Sequence, residues 1–204
     1  YAYALSRKTY AFRSFFTKVI TVPMLFSGGM IANYLVMTKV LMLKNSVWAL
    51  ILPLCMNSFN VIVLRTFFKT SIPDAVVESA KIDGASEWKL FFKIVIPMAM
   101  PGLATIGLFL TLGYWNDWFN ALMYIDDKSW VPLQFLMIQI QNSIDWLASN
   151  KSMMGVEGIQ AAANLPKETI KMAIVVISTL PIIFAYPFFQ RYFVNGLTVG
   201  AVKE

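Results

Sequence analysis

The chain has 204 residues, of which 58% are hydrophobic and only 14% are charged. This composition argues against a soluble globular domain and indicates a membrane protein. The net charge of +6 is modest, and the basic residues flank apolar runs instead of clustering, which argues against nucleic-acid binding. The sequence has no histidine and one cysteine, Cys55, so we expect no disulfide framework, no metal site and no intrinsic catalytic centre.

The N-terminal stretch is a basic stub that ends at Lys18 and begins at Tyr1, without methionine or a signal peptide. It resembles the cytoplasmic end of a helix. We therefore expect an upstream portion of the protein to be missing from this sequence.

Four apolar runs have the length of about twenty residues that a bilayer-spanning helix requires. They lie at about residues 15–37, 47–68, 98–118 and 170–189. Pro23 and the pair Gly28–Gly29 predict a kink in the first run, and Pro181 and Pro187 are expected to break the last. Asn57 and Asn60 lie inside the second run, where we expect them to hydrogen-bond between helices because an unpaired amide in hydrocarbon is unfavourable.

Residues 126–167 form a long polar segment rich in Gln and Asn, and its apolar patch at 131–140 is too short to cross a bilayer. The larger group of basic residues lies close to the ends of the runs and marks the cytoplasmic side: Arg7, Lys8, Arg13, Lys18, Arg65, Lys69, Lys81, Lys89, Lys93, Arg191 and Lys203. The pattern thus predicts that the segment 71–97 and the C-terminus are cytoplasmic and that 126–167 is extracytoplasmic.

The segment 71–97, SIPDAVVESAKIDGASEWKLFFKIVIP, predicts two short helices joined by a glycine elbow. Ser71 and Asp74 are placed as a capping box for the first helix. Gly84 stands where a helix end favours a left-handed residue, and Ser86 is placed to cap the second helix. Such a polar helix pair between two spanning runs is typical of a docking site for a soluble partner.

Within this segment, Glu78-Ser79-Ala80, three residues, Gly84, nine residues and Ile94-Val95-Ile96-Pro97 resemble the EAA loop of membrane subunits of binding-protein-dependent ABC importers. Ser79 replaces the usual alanine and Ile96 the usual leucine. The resemblance implies an all-α, polytopic membrane protein with the type I permease (MetI-like) fold, and about one and a half upstream spanning helices. It also implies the residues that couple to an ATPase: Glu78, Ser79, Ala80, Asp83, Gly84, Ala85, Ile94 and Pro97.

The same resemblance implies the partners and the location of the protein. They are a second homologous permease subunit, two ATP-binding subunits, an external solute-binding protein, membrane lipid and a sugar substrate. The chain itself would bind no cofactor and hydrolyse no ATP, because ATP and Mg²⁺ belong to the ATPase subunits. The location would be the inner membrane of a bacterial or archaeal cell.

A second informative stretch is Tyr114-Trp115-Asn116-Asp117-Trp118-Phe119-Asn120. Aromatic faces beside Asn and Asp suit sugars, and polar residues in a span usually face a cavity; an aromatic belt at the outer interface explains the same residues. The resemblance favours a substrate pathway, for which the candidates are Trp115, Asn116, Asp117, Asn120, Asn33 and Tyr34. For Asn33 and Tyr34, interfacial packing is the stronger alternative.

Three motifs resemble the carbohydrate branch of the family: Ile82–Ser86, Ala161–Thr169 and Tyr186–Leu197. We therefore expect uptake of oligosaccharides or polysaccharide fragments. The alternatives are an importer permease for another small solute, a secondary transporter, which should carry ion-coupling carboxylates near the bilayer centre, and a membrane scaffold without an ATPase.

Overall fold

The computed structural model describes residues 1–150 and 166–201, with the backbone alone for Ala148 and for 193–201. Within these ranges every regular element is a helix, as the sequence predicts. Residues 151–165 of the segment 126–167, most of the motif Ala161–Thr169, and Lys203 lie outside the described residues.

Twelve α-helices are described in the ranges given above. They are α1 (Ala2–Ser6), α2 (Arg13–Leu25), α3 (Gly29–Leu35), α4 (Val47–Cys55), α5 (Ser58–Ser71), α6 (Asp74–Ile82), α7 (Glu87–Leu90), α8 (Ile96–Met98), α9 (Met100–Trp115), α10 (Phe119–Tyr124), α11 (Leu133–Ser149) and α12 (Lys167–Ala201). Two π-helical turns, Val36–Val40 and Phe91–Val95, and a 3-10 turn, Lys128–Trp130, complete the list.

One helix of the described chain, Lys167–Tyr192, is long and apolar enough by itself to cross a membrane, with a mean hydropathy of 2.1. Three pairs of helices reach the same criterion jointly across short breaks, so the described residues offer one span, or up to four if each pair counts as one. The pairs are Arg13–Leu25 with Gly29–Val40, Val47–Cys55 with Ser58–Ser71, and Glu87–Met98 with Met100–Trp115. The exact bounds of the four predicted spans therefore remain predictions.

The first predicted run is interrupted where its glycines indicated. The helix α2 ends at Leu25, and α3 begins at Gly29, whose φ of +81° is a left-handed value that glycine adopts without steric cost.

The prediction for Asn57 is wrong. The second run is divided between α4 and α5, and the side chain of Asn57 accepts hydrogen bonds from the backbone N–H groups of Phe59 and Asn60, at 2.9 and 3.3 Å. Asn57 therefore caps the N-terminus of α5, and within the described residues its side chain makes no bond to another helix. The side chain of Asn57 thus accepts from backbone N–H groups in the first turn of α5 that have no acceptor within the helix. This stabilises the break between α4 and α5.

One further expectation is corrected by the structure. The helix α12 continues through Pro181 and Pro187, although we expected both to break it; apolar spanning helices tolerate proline because local adjustments re-satisfy the freed carbonyls. The C-terminal tail is helical as far as Ala201. The polar segment 126–167 contains the 17-residue helix α11, whose amphipathic sequence the apolar patch at 131–140 only partly reveals.

The contacts within the chain divide it into two units. The first contains Tyr1–Asn33, Leu54–Thr111 and the end of α12 from Tyr186. Its core includes Leu5, Ile20, Phe68, Leu90 and Val95, all at most 4% exposed. The short helix α1 packs against α5, and Arg65 Nε donates to the Leu5 carbonyl at 3.2 Å. The segment 71–97, called the coupling segment below after the role that its resemblance implies, is thus anchored in the same core as α1 and α5.

Close packing between α5 and α9 depends on Gly102. A Cβ atom at Gly102 would lie 2.6 Å from Cδ1 of Phe67, which is far inside van der Waals contact. The two helices can approach at this point because the glycine has no side chain.

The second unit contains Tyr34–Pro53 and Leu112–Ala185. Its centre is formed by Met37, Ala49 and Tyr124, with Tyr34 stacked on Tyr124 at a ring-centroid distance of 6.0 Å. The turn at Asn45 closes this unit: its backbone N–H donates to the Tyr124 carbonyl at 2.9 Å, and its side-chain oxygen accepts from the N–H groups of Asp126 and Asp127. Asn45 itself adopts a φ of +58°.

Candidate functional site

The start of the coupling segment differs from the prediction. Ser71 is the last residue of α5 and does not cap α6; the N-cap of α6 is Pro73, without a side-chain bond. A residue before proline is driven to extended backbone, and Ile72, with φ −117° and ψ 101°, ends α5 for this reason. Asp74 points to other partners instead: Arg7 at 3.1 Å and Lys8 at 3.2 Å.

These two cations hold the carboxylate of Asp74 in its charged form. The hydrogen bond and charge of Lys8, together with the charge of Arg7, lower the pKa of Asp74 below its usual value. An ion pair between residues so distant in sequence links the α1–α2 connection to the first turn of α6.

The elbow between α6 and α7 follows the prediction in detail. Gly84 has a φ of +76°. Its N–H donates to the Lys81 carbonyl at 3.0 Å, and the Ala85 N–H donates to the Ala80 carbonyl at 2.9 Å, which is the Schellman pattern of a helix C-terminus. Ser86 caps α7 by accepting from the Lys89 N–H at 3.4 Å.

The side chains of the coupling segment divide between the core and the surface. Val77 and Ala80 are buried on one face of α6, at 3% and 7% exposure. Glu78, Ser79 and Asp83 are exposed. This arrangement splits the Glu-Ser-Ala motif, because its first two residues face outward while Ala80 packs inward.

The structure brings several of the predicted coupling residues together. Ser79, Ala80, Asp83 and Ile94 line one shallow depression, joined by Ala75 and Val76. Gly84 and Pro97 are exposed and Ala85 is half-buried. A surface of small residues beside an acidic one can accept a protruding side chain or a helix end from a partner.

Sequence reasoning missed two exposed apolar residues near the elbow. Ile82 is 86% exposed and Trp88 is 74% exposed. The signal was present, because each is a large apolar residue in an otherwise polar stretch. Exposed apolar residues indicate a binding surface where they form a contiguous patch.

The polar stretch at the end of α9 is held by hydrogen bonds to other helices and by hydrogen bonds within itself. The indole N–H of Trp115 donates to the Ser178 carbonyl at 2.9 Å, and the Tyr114 hydroxyl donates to the Ile51 carbonyl at 2.8 Å. Asp117 accepts from the backbone and the side-chain N–H of Asn120, at 3.1 and 2.9 Å. The pair therefore closes the first turn of α10.

The six candidate pathway residues are not equivalent in the structure. Asn116 is exposed, and its side chain makes no hydrogen bond within the described residues, so its amide is available to a ligand. Tyr34 is committed to stacking on Tyr124. Asn33 is exposed at the end of α3 and belongs to the first unit, whereas the other five belong to the second.

An all-helical chain with several apolar segments and an elbowed polar helix pair between two of them defines a membrane subunit of the permease class. Over residues 2–199 the chain matches the family described as the inner membrane component of binding-protein-dependent transport systems. The chain belongs to this family, and its fold is that of a type I (MetI-like) permease. This membership argues against the scaffold and the secondary transporter.

Two relatives from Bacillus subtilis (strain 168) are each 43% identical to the chain over 202 residues. They are the polygalacturonan/rhamnogalacturonan transport system permease protein YtcP, with 99% of this chain and 68% of that protein aligned, and protein LplC, with 99% and 66%. The chain thus spans about two thirds of the length of these relatives.

One solved structure is similar in sequence and in fold. It is the crystal structure of a bacterial ABC transporter involved in the import of the acidic polysaccharide alginate. The TM-score is 0.79 at 31% identity, and the match covers 94% of this chain and 66% of that one.

Proposed function

We propose that this chain is a permease subunit of an ATP-driven importer that takes up oligosaccharides or polysaccharide fragments from an external solute-binding protein. The observation that carries the proposal is the match to the importer family over residues 2–199, with relatives named for the transport of polysaccharides. The first substrates to test are acidic oligosaccharides derived from pectin or alginate, since two of these relatives are named for such polymers.

The coupling segment 71–97 would act as a rigid lever between the ATPases and the membrane helices. Its inner face, with Val77, Leu90 and Val95 buried, packs in one core with α1 and α5, so a push on α6 would move those helices as well. Glu78 would anchor the outer face by a charged contact, because it is exposed and forms no ion pair within the described residues. Ser79 and Asp83 would contact the ATPase directly.

The remaining coupling residues would act through the shape of the segment. Gly84 and Ala85 would set the elbow, Ala80 and Ile94 would fix the floor of the depression, and Pro97 would define where the following helix begins. The salt bridge between Lys81 and Glu87 links the two arms of the elbow and supports their acting together.

Transport would use the partners implied by the family. A second permease subunit would complete the pathway, and two ATPases would bind ATP and Mg²⁺ on the cytoplasmic side, where the coupling segment and the C-terminus lie. This chain would bind no cofactor. The segment 126–167 would face the external binding protein.

For the substrate pathway, we propose direct contact by Asn116, whose amide is exposed. Trp115, Asp117 and Asn120 would shape the pathway, since their polar groups are already paired. Tyr34 would have a packing role through its stacking on Tyr124, while Asn33 stays a candidate for the pathway because it is exposed.

The proposal is tested by reconstituting the chain with its partner permease, its ATPases and its binding protein in liposomes. We expect ATP-dependent uptake of labelled galacturonan or alginate oligosaccharides, and ATP hydrolysis that rises when the loaded binding protein is added. Glu78→Ala should abolish uptake, while Lys18→Gln serves as a control on an exposed residue of α2, outside the segments 71–97 and 126–167. Uptake that persists without ATP, driven by an ion gradient, would refute the proposal.

A further inference from the structure

A second exposed surface follows the elbow on α7 and the π-helical turn after it. Trp88 and Phe92 are 74% and 56% exposed, and their rings stack at a centroid distance of 5.9 Å with an interplanar angle of 13°. The opposite side of the same stretch is fully buried at Leu90 and Val95. The stretch is therefore held firmly by the core while it presents a preformed aromatic pair outward.

Two lysines accompany the aromatic pair at the same spacing. Lys89 and Lys93 are exposed, each one residue after an aromatic ring. Neither forms an ion pair within the described part of the chain, whereas the neighbouring Glu87 is paired with Lys81. The surface thus combines apolar rings with two uncompensated positive charges.

The direction of this stretch is also informative. Glu87–Met98 makes an angle of 79° with Met100–Trp115. If Met100–Trp115 runs nearly along the bilayer normal, Glu87–Met98 lies close to the membrane plane. A helix in the plane, with tryptophan on one stripe and lysine on the next, has the features of an interfacial segment.

We propose that Trp88, Lys89, Phe92 and Lys93 form a binding site for anionic phospholipid headgroups in the cytoplasmic leaflet. The inference rests on the proposed function for its orientation, with the coupling segment on the cytoplasmic side. The rings lie at headgroup level, and the two ammonium groups donate to lipid phosphate oxygens. The bound lipid holds the second arm of the elbow at a fixed depth, while α6 remains free for the ATPase.

The charges favour lipid over the ATPase as the occupant of this surface. The face of α6 assigned to the ATPase carries Glu78, Ser79 and Asp83 and is small and acidic, whereas the Trp88 surface is large, aromatic and basic. Docking of the ATPase on Trp88 is the competing outcome of the test.

The experiment measures quenching of tryptophan fluorescence in the complete transporter in nanodiscs. Brominated phosphatidylglycerol or brominated phosphatidylcholine replaces the ordinary lipid in steps, and the Trp88→Phe complex is subtracted to isolate Trp88. We expect half-maximal quenching at a lower mole fraction of phosphatidylglycerol than of phosphatidylcholine. Lys89→Gln should raise the phosphatidylglycerol value about five-fold, from the attraction of one lysine to an anionic surface, and Lys93→Gln should do the same.

Lys128→Gln is the matched control and should leave the quenching unchanged. Equal quenching by the two lipids would overturn the inference, and so would a Trp88 signal that no lipid quenches and that changes only when the ATPase is removed from the complex. Substrate-stimulated ATP hydrolysis is measured in the same nanodiscs. If hydrolysis is normal while the lipid preference is absent, the lipid site fails and the proposed function stands; if hydrolysis is never stimulated, the proposed function fails.

Discussion

At the scale of single residues, Gly84 has a left-handed backbone conformation and also lies in the proposed docking surface for the ATPase. Its φ of +76° belongs to the left-handed region, and nothing lies within 4 Å of a Cβ atom built there. We expect Gly84→Ala to destabilise the elbow by about 1 kcal/mol from backbone strain alone, and Gly84→Asn to cost less because asparagine tolerates this region.

Gly84→Arg adds bulk at the proposed docking surface and should uncouple transport. Its uptake in vesicles should be lost and its ATPase should dissociate on purification, whereas Gly84→Asn keeps both. Normal coupled uptake by Gly84→Arg would show that the elbow does not approach the ATPase.

Gly102 and Gly113 offer a matched pair within α9. A methyl group at Gly102 collides with the ring of Phe67, while one at Gly113 meets nothing within 4 Å. Gly102→Ala should lower stability by roughly 1–3 kcal/mol through overpacking, and Gly113→Ala should be neutral or stabilising because alanine is the better helix former.

Thermal unfolding of the purified protein in detergent measures both variants. Adding Phe67→Leu to Gly102→Ala should recover part of the loss. Equal melting temperatures for the two alanine variants would contradict the close packing of α5 on α9.

Asn116 and Asp117 are neighbours in sequence with different expected roles. Asp117→Ala removes both bonds to Asn120 and should destabilise the protein by about 1 kcal/mol, the usual loss for a helix cap. Asn116→Ala removes an exposed amide and should leave stability unchanged while it weakens the apparent affinity for substrate in uptake assays. A shared effect on stability would mean that Asn116 is structural.

At the scale of helices, the ion pairs of Asp74 join the α1–α2 connection to α6. Asp74→Asn should reduce the stimulation of ATP hydrolysis by the loaded binding protein, because α6 loses its tie to α1. Exchanging the charges, Asp74→Arg with Arg7→Asp and Lys8→Gln, should restore part of the stimulation, whereas Asp74→Arg alone should not.

The pH dependence of this ion pair has a defined sign. The pKa of Asp74 is lowered in the folded protein, so its contribution to stability is fully present above the ordinary carboxyl pKa of about 4 and is lost as pH falls through the lowered pKa. Melting curves of the wild type and of Asp74→Asn should thus differ at neutral pH and converge in acid. A difference that grows in acid would contradict this assignment.

Local helix signals in the sequence predicted the structure well where one residue decides the geometry. Gly84 and Ser86 terminate and cap their helices as expected, because both effects depend on the residue itself and the next few backbone groups. Ser71 failed because Pro73 forces Ile72 to extended backbone and so ends α5 at the serine. Asn57 caps the start of α5, as asparagine often does at a helix N-terminus, and does not form the expected hydrogen bond to another described helix.

The parts of the site that the sequence did not reveal depend on contacts between distant residues. The burial of Ala80, the pairing of Asp74 with Arg7 and the bond from Trp115 to Ser178 each join separate helices. No local pattern specifies such contacts, and they emerge only when the helices pack.

At the scale of the whole molecule, the predicted orientation gives a direct test. In a background with Cys55→Ser, a cysteine at exposed Ser79 should react with a membrane-impermeant maleimide only from the cytoplasmic side, and a cysteine at exposed Ser143 only from outside. Labelling is measured in intact cells and in inverted vesicles. Labelling of both positions from the same side would contradict the predicted topology.

The turn at Asn45 bears on how the protein is made. The residues whose N–H groups its side chain accepts come 81 and 82 positions later in the chain. After Asn45 has been synthesised, the ribosome must therefore translate well beyond α9 before these hydrogen bonds can form. Until those residues are translated, the early part of the second unit cannot form the hydrogen bonds of Asn45. We therefore expect quality-control proteases to degrade the ribosome-stalled chains that end before Tyr124.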